Sequence, residues 1–164
     1  MNVDHILTSL NQHGVSYLLI GGVNFLLRHA PVLTFDIDIW IKDTEDNRRC
    51  AERALADLDA AWGVADADWG PVIEKQPGWL DRQGVFCLNS PHGAIDVFRT
   101  VAGLSDWRQS RDQAIEERTA GGVAYRGISD EDMLRCQYAL DETQRKSERI
   151  RALEAAIGEH KRDD

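Results

Sequence analysis

The sequence has no long apolar segment. A membrane-spanning helix needs roughly 20 consecutive apolar residues, and no stretch of the 164-residue chain approaches that length. The first residues, MNVDHILTSLNQHG, lack the basic start and apolar run of a signal peptide. We therefore expect a cytoplasmic protein that does not enter a membrane.

Cysteine and histidine are few and poorly grouped. Cys50, Cys87 and Cys136 form no C-x-x-C pair, and the five histidines show no zinc-binding spacing such as H-E-x-x-H. This pattern disfavours disulfides and a zinc site, and we expect free, buried thiols in a reducing compartment. A bound metal should therefore be a hard cation with oxygen ligands.

An excess of positive charge is also missing. The chain has 19 Lys and Arg against 28 Asp and Glu, which gives a formal net charge of -9. Proteins that bind DNA or RNA without sequence preference need basic residues to neutralise phosphates. The composition therefore argues against broad nonspecific DNA binding. It is compatible with a small cationic molecule, a protein partner, or a nucleic acid bound on a local basic strip.

Length and apolar periodicity predict one soluble α/β (α+β) domain, with a small mixed β-sheet flanked by helices. The predicted helices are 3–13, 23–29, 44–61, 105–118, 130–141 and 144–159, and the predicted strands are 16–20, 34–41, 84–89, 93–98 and 123–128. The stretch 62–78 has no clear period and is predicted to be irregular. We divide the chain into a core, residues 1–128, and a C-terminal helical extension, residues 129–164, packed on that core.

Three aspartates are candidate metal ligands. Asp36 and Asp38 are two residues apart on an alternating strand, so they share one face while Ile37 and Ile39 take the other. Two carboxylates this close repel each other unless a cation neutralises them. Asp96, between apolar residues on a second predicted strand, would complete a site for one or two Mg²⁺ ions. A solvated strand face is the simpler interpretation of an isolated D-x-D, but the buried opposite face favours a functional site.

Gly21-Gly22 stands directly after a predicted buried strand and before a helix. Glycine lets the backbone turn sharply there, and the first amides of the helix can then bind an anion. A Gly-Gly turn is a weak signal by itself. Next to the carboxylates, it predicts a phosphate-binding turn.

Together these motifs resemble those of the DNA polymerase β-like nucleotidyltransferase superfamily, over about residues 16–98. The matching segments are Ile20-Gly21-Gly22, Thr34-Phe35-Asp36-Ile37-Asp38-Ile39 and Ile95-Asp96-Val97. The resemblance implies the polymerase β-like nucleotidyltransferase fold with added C-terminal helices. It also implies an enzyme that transfers an NMP, with ATP as the expected NTP donor, to a hydroxyl acceptor and releases pyrophosphate.

The same resemblance implies roles for the aspartates. Asp36 and Asp38 would bind Mg²⁺, as one or two ions, together with the nucleoside triphosphate. Asp96 would be the third metal ligand or the base that activates the acceptor hydroxyl.

It also implies phosphate-binding residues. Gly21 and Gly22 would hold the β- and γ-phosphates, and Thr34 would support the loop or touch a phosphate. Many relatives of the Thr-x-Asp-x-Asp form carry an arginine two residues before the threonine, where this chain has Val32. Arg28 is the candidate substitute.

Further aromatic and basic residues are candidates for substrate contacts. Trp69 and Trp79 would line an acceptor pocket, or alternatively fix the irregular segment to the core. Arg145, Lys146 and Arg149 stand where many relatives carry basic residues on a helix, so they are candidates for phosphate or substrate binding. A run of charges on a helix is more often a solvated face.

Three functions remain open at this point. The first is transfer of an NMP to a small molecule such as an aminoglycoside or lincosamide antibiotic. The second is the nucleotidyltransferase of a toxin–antitoxin or abortive-infection system, acting on tRNA or protein. The third is a non-catalytic nucleotide-binding module, against which the presence of all three carboxylates counts. A homodimer or a complex with a partner protein is compatible with each of them.

Overall fold

The computed structural model describes residues 1–164 and contains a six-stranded mixed sheet with helices on both faces. The helices are α1 (Val3–Gln12), α2 (Gly21–Arg28), α3 (Glu45–Asp57), α4 (Trp107–Asp112), α5 (Asp130–Tyr138) and α6 (Ser147–Asp163). The strands are β1 (Tyr17–Ile20), β2 (Asp36–Ile41), β3 (Ala61–Trp62), β4 (Gly70–Pro71), β5 (Val85–Leu88), β6 (Ala94–Phe98), β7 (Ile115–Arg118) and β8 (Ala124–Gly127). None of these helices combines the length and the apolar composition needed to cross a membrane.

The large sheet has the strand order β5-β6-β2-β1-β8-β7. β2 runs parallel to β6 and β1 runs parallel to β8, whereas the other neighbouring pairs are antiparallel. β3 and β4 form a separate two-stranded ribbon. The prediction of a mixed α/β fold with a small sheet is therefore confirmed.

One face of the sheet carries the main core. Ile37, Ile39 and Ile41 of β2 are fully buried on this face, in a cluster with apolar residues of α1 and α3. The alternate residues Asp36 and Asp38 are only partly buried and lie on the other face. The predicted alternation of this strand is therefore confirmed.

The second face is covered by the C-terminal helices over only part of its width. Leu18 of β1 and Trp40 of β2 form a smaller cluster with Met133 of α5 and Leu153 of α6. Trp40 is thus a packing residue. On β5 and β6, the residues that face the same way are exposed or half-buried. The two helices cover the middle of the sheet and leave the β5 edge open.

The prediction of a single helix over 105–118 is wrong. Helix α4 ends at Asp112, and residues 115–118 form strand β7, which pairs with β8. All four residues of β7 are exposed, so its sequence shows no apolar alternation. The pairing with β8 across the turn at Gly122, whose φ is +85°, outweighs the helix propensity of Glu and Arg.

The irregular segment between α3 and β5 is held by aromatic packing. Trp62 stacks on Trp79 with ring centroids 5.5 Å apart, and its centroid lies 5.0 Å from that of Phe86. Trp79 is 4% exposed, so it fixes the segment to the core and does not line an acceptor pocket. Trp69 remains largely exposed.

A buried carboxylate fixes the end of the same segment to α3. Glu52 accepts hydrogen bonds from the backbone N–H groups of Gly78 and Leu80, both at 3.0 Å, and from Arg49 at 2.8 Å. These donors satisfy a carboxylate that is almost completely shielded from water. Glu52 therefore links α3 to the irregular segment through hydrogen bonds.

We expect Glu52→Ala to lower the free energy of unfolding by about 2–4 kcal/mol, because two buried backbone N–H groups and a guanidinium lose their acceptor. Urea denaturation followed by circular dichroism measures the change. Arg53→Ala, an exposed change on the same helix, should stay within about 0.5 kcal/mol. Equal effects of the two substitutions would contradict the role of Glu52 in linking α3 to the irregular segment.

Candidate active site

The pairing of β2 with β6 brings the three predicted aspartates together. Asp38 lies directly opposite Asp96 in this parallel pair, and Asp36 lies one step along the same face. One carboxylate oxygen from each of the three residues lies within 4.8 Å of the others. The structure therefore places all three predicted acidic residues in one cluster.

The cluster is electrostatically unfavourable without a cation. Burial, followed by the charges of Asp36 and Asp96, raises the pKa of Asp38 to about 7. Burial and the charge of Asp36 also raise the pKa of Asp96. The sequence argument that neighbouring carboxylates perturb each other thus holds in the folded protein.

The ligand atoms suit a hard divalent cation. Mg²⁺ binds oxygen at about 2.0–2.1 Å, so two oxygens on one ion lie at most about 4.2 Å apart. The three carboxylate oxygens all lie within 4.8 Å of one another, so any excess over this limit is at most little more than half an ångström. Small rotations of the side chains bring the carboxylates within this range. The residues present therefore fit Mg²⁺.

The glycine turn that follows β1 lies beside the carboxylates. Gly21 has a φ of +67°, in the left-handed region that favours glycine. A Cβ atom at this position would stand 2.1 Å from Oδ2 of Asp38. Both the backbone conformation and the close approach therefore require glycine here.

The N-terminus of α2, which begins at Gly21, is free to bind an anion. No side chain caps it, so its first-turn amides lack an intrahelical partner. Thr34 Oγ1 would lie 2.9 Å from a Cβ atom on Gly22, and the Thr34 hydroxyl donates to the carbonyl oxygen of Asp36 at 3.1 Å. Thr34 thus joins the loop before β2 to this turn.

Arg149, on the first turn of α6, completes the site from the C-terminal part of the chain. Its Nη2 would lie 3.1 Å from a Cβ atom on Gly22, and its guanidinium carbon lies 5.7 Å from the centre of the Phe25 ring. Burial lowers the pKa of Arg149, an effect that the charge of Asp38 partly offsets. The guanidinium forms no ion pair with a carboxylate, so it can bind phosphate.

The other basic candidates are arranged differently. Arg145 donates hydrogen bonds to the backbone carbonyls of Leu140 and Tyr138, and its guanidinium lies against the Tyr138 ring. Lys146 is exposed. Of the three basic candidates Arg145, Lys146 and Arg149, only Arg149 lies beside the Gly21-Gly22 turn.

Arg28 does not lie at the site, so its suggested role as a phosphate ligand is wrong. It is the last residue of α2, at the opposite end from Gly21. Its guanidinium donates to the carbonyl oxygen of Ile128 at 2.7 Å and pairs with Asp130 at 2.6 Å. Arg28 therefore fastens α2 to the start of α5.

Cys87 is a site neighbour that sequence reasoning missed. It stands directly opposite Asp96 on β5 and is exposed, which contradicts the expectation that all the cysteines are buried. Burial, then the charge of Asp96, raises the pKa of its thiol. The predicted hairpin put both residues on neighbouring strands. The register that sets them side by side could not be derived from the sequence.

Comparisons with known proteins identify the fold. No family model and no curated protein sequence matches the chain. The solution structure of the antibiotic-resistance factor ANT(2'')-Ia superposes with a TM-score of 0.63 at 15% identity, covering 97% of this chain and 84% of that one. Its crystal structure with adenylyl-2''-tobramycin gives 0.63 at 14% identity, over 97% and 89%. The lincomycin-bound lincosamide adenylyltransferase LnuA gives 0.60 at 18% identity, over 92% of each chain. The chain thus shares the fold of these three structures.

The raised pKa of Asp38 predicts that the metal-free protein loses stability as the pH rises. The pKa of about 7 in the folded protein lies above the ordinary value of 3.8, so folding binds a proton between these values. The resulting loss from pH 5 to pH 8 is roughly 3 kcal/mol at most, since each pKa unit corresponds to about 1.4 kcal/mol. Thermal unfolding in EDTA at pH 5 and pH 8 measures it.

Asp38→Asn should reduce this pH dependence, and Mg²⁺ should raise the wild-type Tm at pH 8. Asp43→Asn is the control. In Asp43 the effect of burial is outweighed by hydrogen bonds from Arg99 and Arg48, which lower the pKa of its carboxyl, so it stays ionised from pH 5 to pH 8. An unchanged pH dependence in Asp38→Asn would contradict the assignment.

Proposed function

We propose that this protein is a divalent-metal-dependent nucleotidyltransferase. In the proposed reaction an acceptor hydroxyl attacks the α-phosphorus of an NTP, with ATP as the expected donor, and pyrophosphate leaves. The observation that carries the proposal is the juxtaposition of three carboxylates within 4.8 Å with the uncapped turn at Gly21-Gly22. An acidic cluster alone would fit many cation sites, whereas the adjoining anion site specifies a phosphate-bearing ligand.

The donor half of the reaction follows from the arrangement of these residues. Asp36 and Asp38 would hold Mg²⁺ between themselves and the triphosphate. The amides of Gly21 and Gly22, with Arg149 beside them, would bind the terminal phosphates and the departing pyrophosphate. Bound Mg²⁺ supplies charge neutralisation at the phosphates and lowers the pKa of the attacking hydroxyl.

Asp96 would act as the third metal ligand or as the general base. It is the carboxylate nearest the open part of the sheet, opposite Cys87, and on the far side of Asp38 from the glycine turn. Its raised pKa makes it a better proton acceptor than an ordinary aspartate. Asp96 can therefore serve as a metal ligand or receive the proton of the acceptor hydroxyl.

A small-molecule acceptor has the strongest support. LnuA binds lincomycin, and the ANT(2'')-Ia crystal structure contains adenylyl-2''-tobramycin. A toxin–antitoxin enzyme that modifies tRNA would use a basic docking strip. Here the Arg145 guanidinium donates hydrogen bonds to backbone carbonyls, and Arg28 is paired with Asp130, so both are engaged within the protein. We therefore favour an antibiotic or similar metabolite with a free hydroxyl.

Labelled ATP and Mg²⁺, incubated with lincomycin, tobramycin, total tRNA or cell lysate, test the proposal. We expect the label to be transferred from ATP to a small-molecule acceptor, and we expect EDTA to abolish this transfer. Asp36→Asn and Asp38→Asn should each lower kcat about 10³-fold, because a lost metal ligand removes several kcal/mol of transition-state stabilisation. Glu148→Gln, an exposed carboxylate on α6, should be neutral.

The outcomes separate the alternatives. Label found only in tRNA or protein would favour the toxin–antitoxin alternative. Tight binding of MgATP without transfer to any acceptor would favour the non-catalytic module and would contradict the proposed function.

Arg149→Gln should raise the KM for MgATP about tenfold, because one charged hydrogen bond to phosphate is worth roughly 1.5–3 kcal/mol. Arg149→Lys should keep part of the affinity. Arg151→Gln, an exposed change on the same helix, should leave the KM unchanged. Steady-state kinetics with varied MgATP measures the effect, and an unchanged KM for Arg149→Gln would exclude Arg149 from the phosphate site.

A further inference from the structure

We call the face of the sheet that carries Asp36, Asp38 and Asp96 the carboxylate face. Its uncovered part, along β5 and β6, presents mainly uncharged side chains. Along β5, Val85 and Cys87 are exposed, while Phe86 and Leu88 are buried on the other face. On β6, Phe98 lies directly opposite Val85, and Asp96 lies directly opposite Cys87. The exposed residues Val85 and Cys87, together with half-buried Phe98, form a strip that we call the β5 floor. Phe98 lies at its boundary, because it also packs against the smaller core cluster. The β5 floor adjoins the candidate active site without a break.

Reaction geometry gives this floor a role, provided that the proposed nucleotidyl transfer is correct. In phosphoryl transfer the attacking and leaving oxygens lie roughly in line on opposite sides of phosphorus. The leaving pyrophosphate would occupy the side of Gly22 and Arg149, next to β1. The attacking hydroxyl must then arrive from the opposite side of Asp38, which is the side of β6 and β5.

The approach to the carboxylates along the middle of the sheet is closed. Trp40 is 3% exposed, and Ile20 and Leu18 are covered by the residues of α5 and α6 in the smaller core cluster. An acceptor therefore cannot reach the carboxylates along the middle of the sheet. The β5 floor is the part of this face that remains accessible.

The floor lacks side chains that bind a strongly charged molecule. Apart from Asp96, the residues that point outward from β5 and β6 are Val85, Cys87, Ala94 and Phe98, none of them basic or acidic. The next cation along the chain, Arg99, is engaged by Asp43 at 2.9 Å. In the proposed reaction the three carboxylates are already engaged, Asp36 and Asp38 with the metal and Asp96 with the metal or the proton of the hydroxyl.

We propose that the β5 floor is the acceptor-binding surface, and that the acceptor presents an apolar, uncharged face beside its reacting hydroxyl. A polycation such as an aminoglycoside would find no free carboxylate on this surface. A nucleic acid would find no cation for its phosphates. A lincosamide-like molecule, with apolar side groups next to a sugar, has the required chemistry.

Val85→Glu and Val85→Lys test this inference as a pair. Val85 is 39% exposed on an edge strand, where charged residues are tolerated. With lincomycin as the acceptor, both charges should raise the acceptor KM about ten- to a hundredfold, because each removes apolar contact and requires a charge to be desolvated. The Kd for MgATP should not change. Ile115→Glu, an equally exposed site at 37% on the other edge strand, is the matched control and should be neutral.

Several outcomes would overturn the inference. Opposite effects of Glu and Lys would mean that the acceptor presents a charged group to the floor, which would overturn the uncharged face. An unchanged acceptor KM would place the acceptor elsewhere, and a raised Kd for MgATP would place the floor on the nucleotide side. Transfer by the wild type to tobramycin or tRNA alone would refute the uncharged acceptor while leaving the proposed function intact. No transfer to any acceptor would refute the proposed function and, with it, the role of the floor.

Discussion

The site depends on the pairing of β2 with β6. In this parallel pair Asp38 stands opposite Asp96, while Ile37 and Ile95 stand opposite each other on the buried face. A slip of one residue would move the aspartates into the core and the isoleucines into water. The hydrophobic core therefore fixes the position of the carboxylates. The free energy of burying the apolar face offsets the repulsion among the acidic side chains on the other.

The phosphate end of the site joins distant parts of the chain. Gly22 and Arg149 are 127 positions apart in sequence, yet they adjoin in the fold. α6 is held in place by Leu153, which is 1% exposed in the cluster under the C-terminal helices. The helical extension thus does more than cover the sheet. It supplies Arg149, which lies beside the glycine turn, so the proposed donor site would require the extension to be packed on the sheet.

The sequence predicted those features of the site that depend only on residues close together in the chain. The alternation around Asp36 and Asp38, and the glycine turn before α2, depend on neighbouring residues and could be derived from the sequence. Arg149 could be named only as one of three basic candidates, because its position depends on how α6 packs. Arg28 is the sequence candidate for the arginine that many relatives carry before the threonine, but the eight residues of α2 place it at the opposite end of the helix from the glycine turn.

The same distinction explains the two features that sequence reasoning did not find. β7 has no apolar face, so only its pairing with β8 makes it a strand. Cys87 looked like one more buried thiol until the register of the hairpin set it opposite Asp96. Both depend on contacts between strands, which a single sequence does not specify.

The division of the carboxylate face suggests how such a fold can accept different substrates. The proposed donor side would use backbone amides, a glycine that the close approach of Asp38 requires, and carboxylates positioned by core packing, so we expect it to tolerate little change. On β5, Phe86 and Leu88 are buried in the core, whereas Val85 and Cys87 are exposed to solvent. Substitutions at these exposed positions would change the proposed acceptor surface without disturbing the core. In the proposed enzyme, the residues that act on the phosphates and those that select the acceptor would therefore lie on different strands of the sheet.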